Sequence, residues 1–349
     1  MNILLIQLKR IGDLILTTPA IAAIRHQFPD ARINLIISRG CMPLIPAVPH
    51  VDHAYVMQRN PADIGTFFHV ARSKFDVCVD FTRNNRSAFL TCLSRADKRI
   101  GSHRIKRRAP FRQKAYNEFV PGRMRDQHMV DYNLSLLEPL GIRDVSPPVR
   151  LILPAESCHD SVEILRKAKI QQPFVIFHPG SARIEKFWQP DRWAEVITTA
   201  MDRWHVTPVL TGGTSTQEKE HIAEIESKLP RPTGGSGPNV IDLSGKIDLM
   251  TVAALIAQAR LLVTVDSAPM HLAAATNTPQ VVLFGPTNPF HWRPRQDSAL
   301  ILQGDSPEPI QDFVARQERL PMKLISTQAV IDAMDFQLSM PAAKVYDRD

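Results

Sequence analysis

Residues 261–289 read LLVTVDSAPMHLAAATNTPQVVLFGPTNP. An apolar run at 261–265 ends in a sharp polar turn, Asp266-Ser267-Ala268-Pro269, and small residues over 271–275 continue as a helix. Asn277-Thr278-Pro279 breaks that helix, a second apolar run fills 281–284, and Gly285-Pro286 closes it. Strand, turn, helix, strand, turn is a unit of a parallel sheet. Both turns fall at the carboxyl ends of strands, where open α/β sheets bind ligands. The first turn presents backbone N–H groups at a helix start, a favourable place for a phosphate. Pro269 fits the first helical position, whose N–H needs no partner. Ser267 adds a hydroxyl, and His271 follows on the helix. An ordinary core βαβ unit, with Asp266 or Ser267 serving only as a helix cap, accounts for the same residues.

The same alternation extends in both directions from this stretch. Upstream in the second half, strands are expected at 174–178, 206–211 and 240–242, with helices at 191–203, 215–228 and 249–258. Polar turns follow the strands at 179–181, 212–214, 266–268 and 285–288, and together they outline one site. Its parts suit a nucleotide diphosphate: small residues for close backbone approach (Gly213, Ala268), hydroxyls on Ser181, Thr214 and Ser267, and a cation at Lys186. Glu218, in the first turns of a helix beginning beside Gly213, is placed for ribose hydroxyls, and it is also simply a favourable acid near a helix start. No GxxxxGK[ST] motif occurs, which argues against a P-loop kinase.

The first half follows the same logic. Strands are expected at 2–8, 32–38, 54–57 and 76–80, and helices at 13–28, 62–73, 87–94 and 129–140. A Pro-rich segment, 146–154, reads as a linker, followed by a helix at 157–169. A last amphipathic helix is expected at 326–338. Two alternating arrays joined by a proline linker predict an α/β protein of two doubly wound, Rossmann-like domains facing a cleft. The length of 349 residues fits two cores better than one.

Composition narrows the partners. The longest apolar runs fall far short of the roughly 20 residues needed to span a bilayer, and the apolar start is followed at once by Lys9 and Arg10, the reverse of a signal peptide. A cytosolic protein is expected, with Cys41, Cys78, Cys92 and Cys158 reduced and buried, since their spacing matches no metal or redox motif. Residues 1–150 hold 23 Lys and Arg against 12 Asp and Glu, a balance of +11 within a chain of net charge +7. The densest part, 95–114, contains Lys98, Arg99, Arg104, Lys106, Arg107, Arg108 and Arg112. Such a cluster fits an anionic partner, whether phosphorylated lipid, acidic sugar or nucleic acid, and equally a solvated loop with no partner.

Four stretches in fixed order carry a family resemblance: LKRIGDLILTTPA at 8–20, HPGS…EKFWQPDRW at 178–193, DLSGKIDLMTVAALIAQARLLVTVDSAPMHLAAA at 242–275 and FGPTNP at 284–289. They span nearly the whole chain, and the pattern resembles the lipopolysaccharide heptosyltransferases, family 9 of the glycosyltransferases. The resemblance implies a GT-B fold, with residues 1–155 as acceptor-binding domain, 170–325 as nucleotide-sugar-binding domain and 326–349 as C-terminal helix and tail. It implies inverting transfer of a heptose from a nucleotide-linked donor, expected to be ADP-heptose, without metal or other cofactor. By resemblance Asp13 matches the catalytic base, Lys186 the lysine near the donor phosphates, and Asp266-Ser267-Ala268 with His271 the family's Asp-Thr-Gly…His donor loop. Ser-Ala stands here for Thr-Gly, and Ala268 keeps its N–H. Arg104, Lys106, Arg107 and Arg108 would then hold a phosphorylated or acidic lipopolysaccharide core acceptor at the inner-membrane surface, and nucleic acid is not an expected partner. By position alone, Asp13 reads as a helix N-cap beside Gly12.

Two rivals stay open at this point. Another GT-B sugar-nucleotide enzyme, an epimerase or a transferase with a different donor, would keep the cleft and change the chemistry. A non-catalytic basic protein binding membrane or nucleic acid would explain the charge but neither the donor loop nor Asp13. The basic stretch also lacks the interleaved aromatics of single-strand binders.

Overall fold

The computed structural model describes residues 1–58, 61, 63–103, 110–170, 173–230 and 240–341. The chain divides into two compact units, Met1–Ile152 and Leu153–Asp349, which part inside the Pro-rich segment.

The first unit is built on six parallel strands, β1 Asn2–Gln7, β2 Arg32–Ser38, β3 His53–Met57, β4 Val77–Asp80, β5 Lys98–Ser102 and β6 Glu118–Val120. Their spatial order is 3-2-1-4-5-6. The central strand, NILLIQ, is buried from Ile3 onward, as a strand covered on both faces must be, and it pairs with β2 on one side and β4 on the other. Helices α1 Ile11–Ile15, α2 Thr18–Gln27, α3 Asp63–Arg72, α4 Asn85–Leu93 and α5 Met129–Ser135 complete the unit.

The second unit repeats the plan with β7 Phe174–His178, β8 Thr207–Leu210, β9 Ile241–Asp242, β10 Leu261–Val265, β11 Gln280–Phe284 and β12 Ala299–Gln303, in the order 12-11-10-7-8-9. Its helices are α6 Ala155–Lys167, α7 Pro190–Trp204, α8 Thr216–Lys228, α9 Leu249–Gln258, α10 Ala268–Thr276, α11 Pro289–Trp292 and α12 Thr327–Ser339. Trp188 and Trp193 lie fully buried in its core. Ala329, Val330, Ala333 and Met334 carry α12 into the same core, so the last helix is part of this unit's packing.

Both sheets reverse direction of build once, between β1 and β4 in the first unit and between β7 and β10 in the second. The loops leaving the carboxyl ends of that strand pair diverge and leave a crevice, the general ligand position of open parallel sheets.

Several local expectations are corrected. The helix expected over 13–28 is two helices, because Pro19 has no N–H to give to the Ile15 carbonyl and the Thr18 hydroxyl takes that acceptor at 2.8 Å instead. The first of them starts at Ile11 with Arg10 as N-cap, so Asp13 stands at the third helical position and is not the cap. Pro269 is the second residue of α10, after Ala268. Three strands escape the sequence pattern: β5, which opens on Lys98 and Arg99 inside the basic cluster, the three-residue β6, and the edge strand β12. No helix among the described residues is long and apolar enough to cross a membrane.

Candidate functional site

In the second unit, the loops after β7 and β10 are tied together by one ion pair. Lys186 ends a short 3-10 turn, Ile184–Lys186, and its Nζ lies 2.6 Å from Asp266 Oδ2 while donating to the Asp266 carbonyl at 3.0 Å. The two side chains are only 11% and 8% exposed, so the lysine charge is held inside the rim of the crevice, not on the surface. Ser267, half-buried, is the N-cap residue of α10 in extended conformation, but its hydroxyl makes no capping bond; it sits 3.4 Å from Thr264 Oγ1. Asp266 likewise spends its carboxylate on Lys186. Neither side chain caps α10, and an uncapped helix start is a favourable place for an anion.

The turns after β7 and β8 meet at Glu218. Ser215 caps α8, accepting from Glu218 N at 3.3 Å and donating to Glu218 Oε2 at 2.8 Å, while Gly213 N donates to Glu218 Oε1 at 3.3 Å. A methyl group on Gly180 or Gly213 would have to push that carboxylate aside. Thr214 is exposed beside them, and Ser181 is buried in the first turn. His178, under this floor, lies 2.9 Å from Thr211 Oγ1, and burial pushes its pKa down to about 4. Phe187 stacks on His221 of α8 with ring centroids 4.4 Å apart, bracing the Lys186 turn; burial holds His221 at about 4 as well. His271 is buried on α10.

The first three expected turns are thus joined by named contacts. The fourth is different. Gly285 faces Met322, whose side chain occupies the space a Cβ would need, so this glycine serves packing. Thr287 and Asn288 line a separate hollow of about 330 Å³ with Arg183, His291 and Arg319.

In the first unit, Asp13 borders a hollow of about 710 Å³ at the carboxyl ends of β1 to β4. Its Oδ2 accepts from Arg10 N at a long 3.4 Å, and its Oδ1 is 3.4 Å from Lys9 Nζ. Burial pulls the Lys9 pKa down, partly offset by Asp13 beside it. Lys9, Arg10, Arg39 and Arg86 line this hollow, with Asp13 the one acid among its lining residues. Such a surface attracts anions.

The loop after β4 is fixed by Asp80. This fully buried carboxylate accepts from Thr82 N at 2.7 Å, Arg83 N at 3.0 Å, Ser87 Oγ at 2.7 Å and Tyr116 OH at 2.6 Å. Burial and the neighbouring Asp80 charge raise the Tyr116 pKa far above its ordinary value, so the phenol stays a donor. Leu8 N donates to Thr82 Oγ1 at 2.6 Å and straps this loop to the end of β1.

The sequence around this geometry has relatives. Residues 66–321 match the family described as Glycosyltransferase family 9 (heptosyltransferase). A lipopolysaccharide heptosyltransferase 3 of Escherichia coli is 30% identical over 334 residues, covering 93% of this chain and 95% of its own. The chain belongs to glycosyltransferase family 9. It is a glycosyltransferase of the GT-B fold class, and solved structures agree on that fold. The glycosyl transferase family 9 protein of Veillonella parvula superposes with a TM-score of 0.82 at 24% identity over 97% of both chains. The E. coli ADP-heptose lps heptosyltransferase II does so with 0.77 at 22% identity, over 97% of this chain and 98% of its own.

For this glycosyltransferase only part of the expected basic cluster falls among the described residues. Arg104, Lys106, Arg107 and Arg108 lie outside the described residues. Of the others, Lys98 Nζ donates to the Pro139 carbonyl at 3.0 Å, Arg99 to the Ala115 and Ala96 carbonyls at 2.9 and 2.7 Å, and Arg112 to the Arg83 carbonyl at 2.9 Å. These three cations secure backbone and are not an open basic run. The cations lining the hollow beside Asp13 are Lys9, Arg10, Arg39 and Arg86. Each lies past the carboxyl end of a strand, β1, β2 or β4, but no local signal in the sequence groups them.

Proposed function

We propose that this family 9 glycosyltransferase moves a heptose from ADP-heptose to a lipopolysaccharide core acceptor with inversion at the anomeric carbon. The observation that carries the reading is the Lys186–Asp266 pair at the reversal point of the second sheet, beside an uncapped helix start. The names of the E. coli relatives, a lipopolysaccharide heptosyltransferase and an ADP-heptose lps heptosyltransferase, support the choice of sugar, nucleotide and acceptor.

In the proposed chemistry the donor diphosphate lies against the start of α10 and Lys186, with Ser181, Thr214, Ser267 and Ala268 beside it, His271 on the same helix, and Glu218 toward the ribose hydroxyls. Asp13 takes the proton of the acceptor hydroxyl as its oxygen attacks the anomeric carbon. The bond to the diphosphate oxygen breaks, and the departing negative charge is met by Lys186 and helix-start N–H groups already in position. Lys9 orients the Asp13 carboxylate. Acidic groups of the acceptor face Lys9, Arg10, Arg39 and Arg86, with Arg104, Lys106, Arg107 and Arg108 retained as further acceptor cations. A lipid-linked acceptor places the work at the cytoplasmic face of the inner membrane.

The test is direct. ADP should raise the melting temperature, and incubation with ADP-heptose and a core acceptor should give a product heavier by one heptosyl residue. Binding of ADP without any heptosyl product across a panel of acceptors, or a better response to a different nucleotide, would refute the reading.

A further inference from the structure

Helices α3 and α4 of the first unit turn large apolar side chains to solvent. Ile64 is 55% exposed, Phe68 62% and Phe89 55%. They are not scattered. Ile64 and Phe68 share one face of α3 at i, i+4 spacing, and half-buried Phe67 meets Phe89 edge-on with ring centroids 5.4 Å apart. The two helices therefore carry one joined patch, and contiguous exposed apolar surface marks an interaction site.

On the two helices themselves the exposed Arg and Asp/Glu charge is of one sign, with exposed Asp76 and Asp97 lying beyond their ends. Arg72 stands one turn beyond Phe68 and is exposed; Arg86 stands one turn before Phe89 and is half-exposed; exposed Arg95 follows the end of α4. The one acid on either helix, Asp63, is buried and accepts from Gln58 N at 2.6 Å. Aromatic and aliphatic side chains ringed by arginine, with no exposed carboxylate on either helix, match the interface of an anionic bilayer: the rings enter the headgroup boundary and the guanidinium groups meet phosphates. A second copy of the chain fits less well. A two-fold contact would set this surface against itself, bringing arginines to arginines, and a few side chains supply less area than the roughly 1,000 Å² of a specific interface.

We propose that the α3–α4 face, through Ile64, Phe68 and Phe89 with Arg72 and Arg95, docks this protein on an anionic lipid surface. The proposal rests on the reading that the acceptor is lipid-linked, and it names the surface that would bring the Asp13 hollow, whose lining includes Arg86 of α4, to that lipid.

Cys92 supplies the probe, being one turn beyond Phe89 and exposed while Cys41, Cys78 and Cys158 are buried. The protein labelled there with an environment-sensitive fluorophore is mixed with vesicles of equal parts phosphatidylglycerol and phosphatidylcholine, or of phosphatidylcholine alone. A blue shift and co-sedimentation with the first vesicles only, reduced by salt, are expected. Phe68→Ser with Phe89→Ser should weaken partitioning about a hundredfold, tenfold for each ring, and Arg72→Glu with Arg95→Glu should abolish the preference for anionic vesicles. Transfer to a delipidated, soluble core acceptor should be unchanged in both variants. Undiminished vesicle binding by the Phe variant overturns the proposal. So does light scattering that finds a vesicle-free dimer which the variant loses. Loss of heptosyl transfer to the soluble acceptor in the parent protein, with vesicle binding intact, would instead remove the functional reading and leave the docking face standing.

Discussion

Replacing Asp13 by Asn separates the two things this residue does. Structurally its carboxylate accepts one long hydrogen bond, 3.4 Å from Arg10 N, and lies 3.4 Å from Lys9 Nζ, with the pair 11% and 23% exposed. The amide oxygen of Asn can still accept from Arg10 N, so the helix start is kept. What is lost is the Lys9 attraction in a largely buried pair, which falls between the roughly 1 kcal/mol of an exposed pair and the roughly 3–5 kcal/mol of a broken buried one. At about 2–4 °C per kcal/mol for a unit of this size, the melting temperature should fall by a few to about 10 °C, with the chain still folded. Chemically the loss is larger: Asn cannot take a proton from the acceptor, and a positioned base is worth roughly a hundredfold to ten-thousandfold. Turnover of ADP-heptose, followed by ADP release, should drop at least about a hundredfold, while the ADP-induced thermal shift is unchanged because Asp13 lies outside the second unit. Retention of most of the turnover would refute the assignment of Asp13 as base, and a matching loss of ADP binding would show that the variant had damaged something other than proton transfer.

Lys186→Ala leaves the Asp266 carboxylate buried without its cation, a change that typically costs about 3–5 kcal/mol; the melting temperature should fall and the ADP shift should shrink, whereas an undiminished ADP shift would place the diphosphate elsewhere. Gly213→Ala should drive Glu218 out of its position and weaken ADP binding as Glu218→Ala does, and the double variant should be no worse than the worse single one; additive losses in the binding isotherms would contradict the shared mechanism. His178 and His221, both held near pKa 4, bind no proton in the folded state at pH 5 that the unfolded chain would take up below about 6.5. Stability from these groups is therefore intact above that value and falls by up to about 2.7 kcal/mol per pH unit toward pH 4, a slope that urea titrations should find reduced by about half in His221→Phe.

The interior strands were legible because a parallel strand covered on both faces reads as an unbroken apolar run, as in ILLI of β1, FVIF of β7 and VVLF of β11. Where a strand is short or opens on charge, as Lys98 and Arg99 open β5, that run disappears. The turns after those strands were legible for the same reason, since each directly follows one. The cations around Asp13 were not. Lys9, Arg39 and Arg86 are far apart in the chain and become neighbours only because β2, β1 and β4 lie side by side, an order that no local pattern records. Asp80 escaped notice on similar grounds, its Tyr116 partner lying 36 residues away. The helix break at Pro19 was visible in principle; Asp13 lies inside the first turn for a separate reason, because α1 starts at Ile11 with Arg10 as its cap.

The contact between Lys186 and Asp266 also bears on how fast the enzyme can let go. On the proposed reading, the ammonium that receives the diphosphate already has a carboxylate of its own at 2.6 Å. An incoming donor gains only the difference between the two anions, so its residence time is shorter than a bare lysine would impose. After transfer the same carboxylate stands ready to reclaim the cation as ADP departs. Asp266 would then act as a built-in competitor that keeps spent nucleotide from clogging the crevice, at the expense of tighter capture.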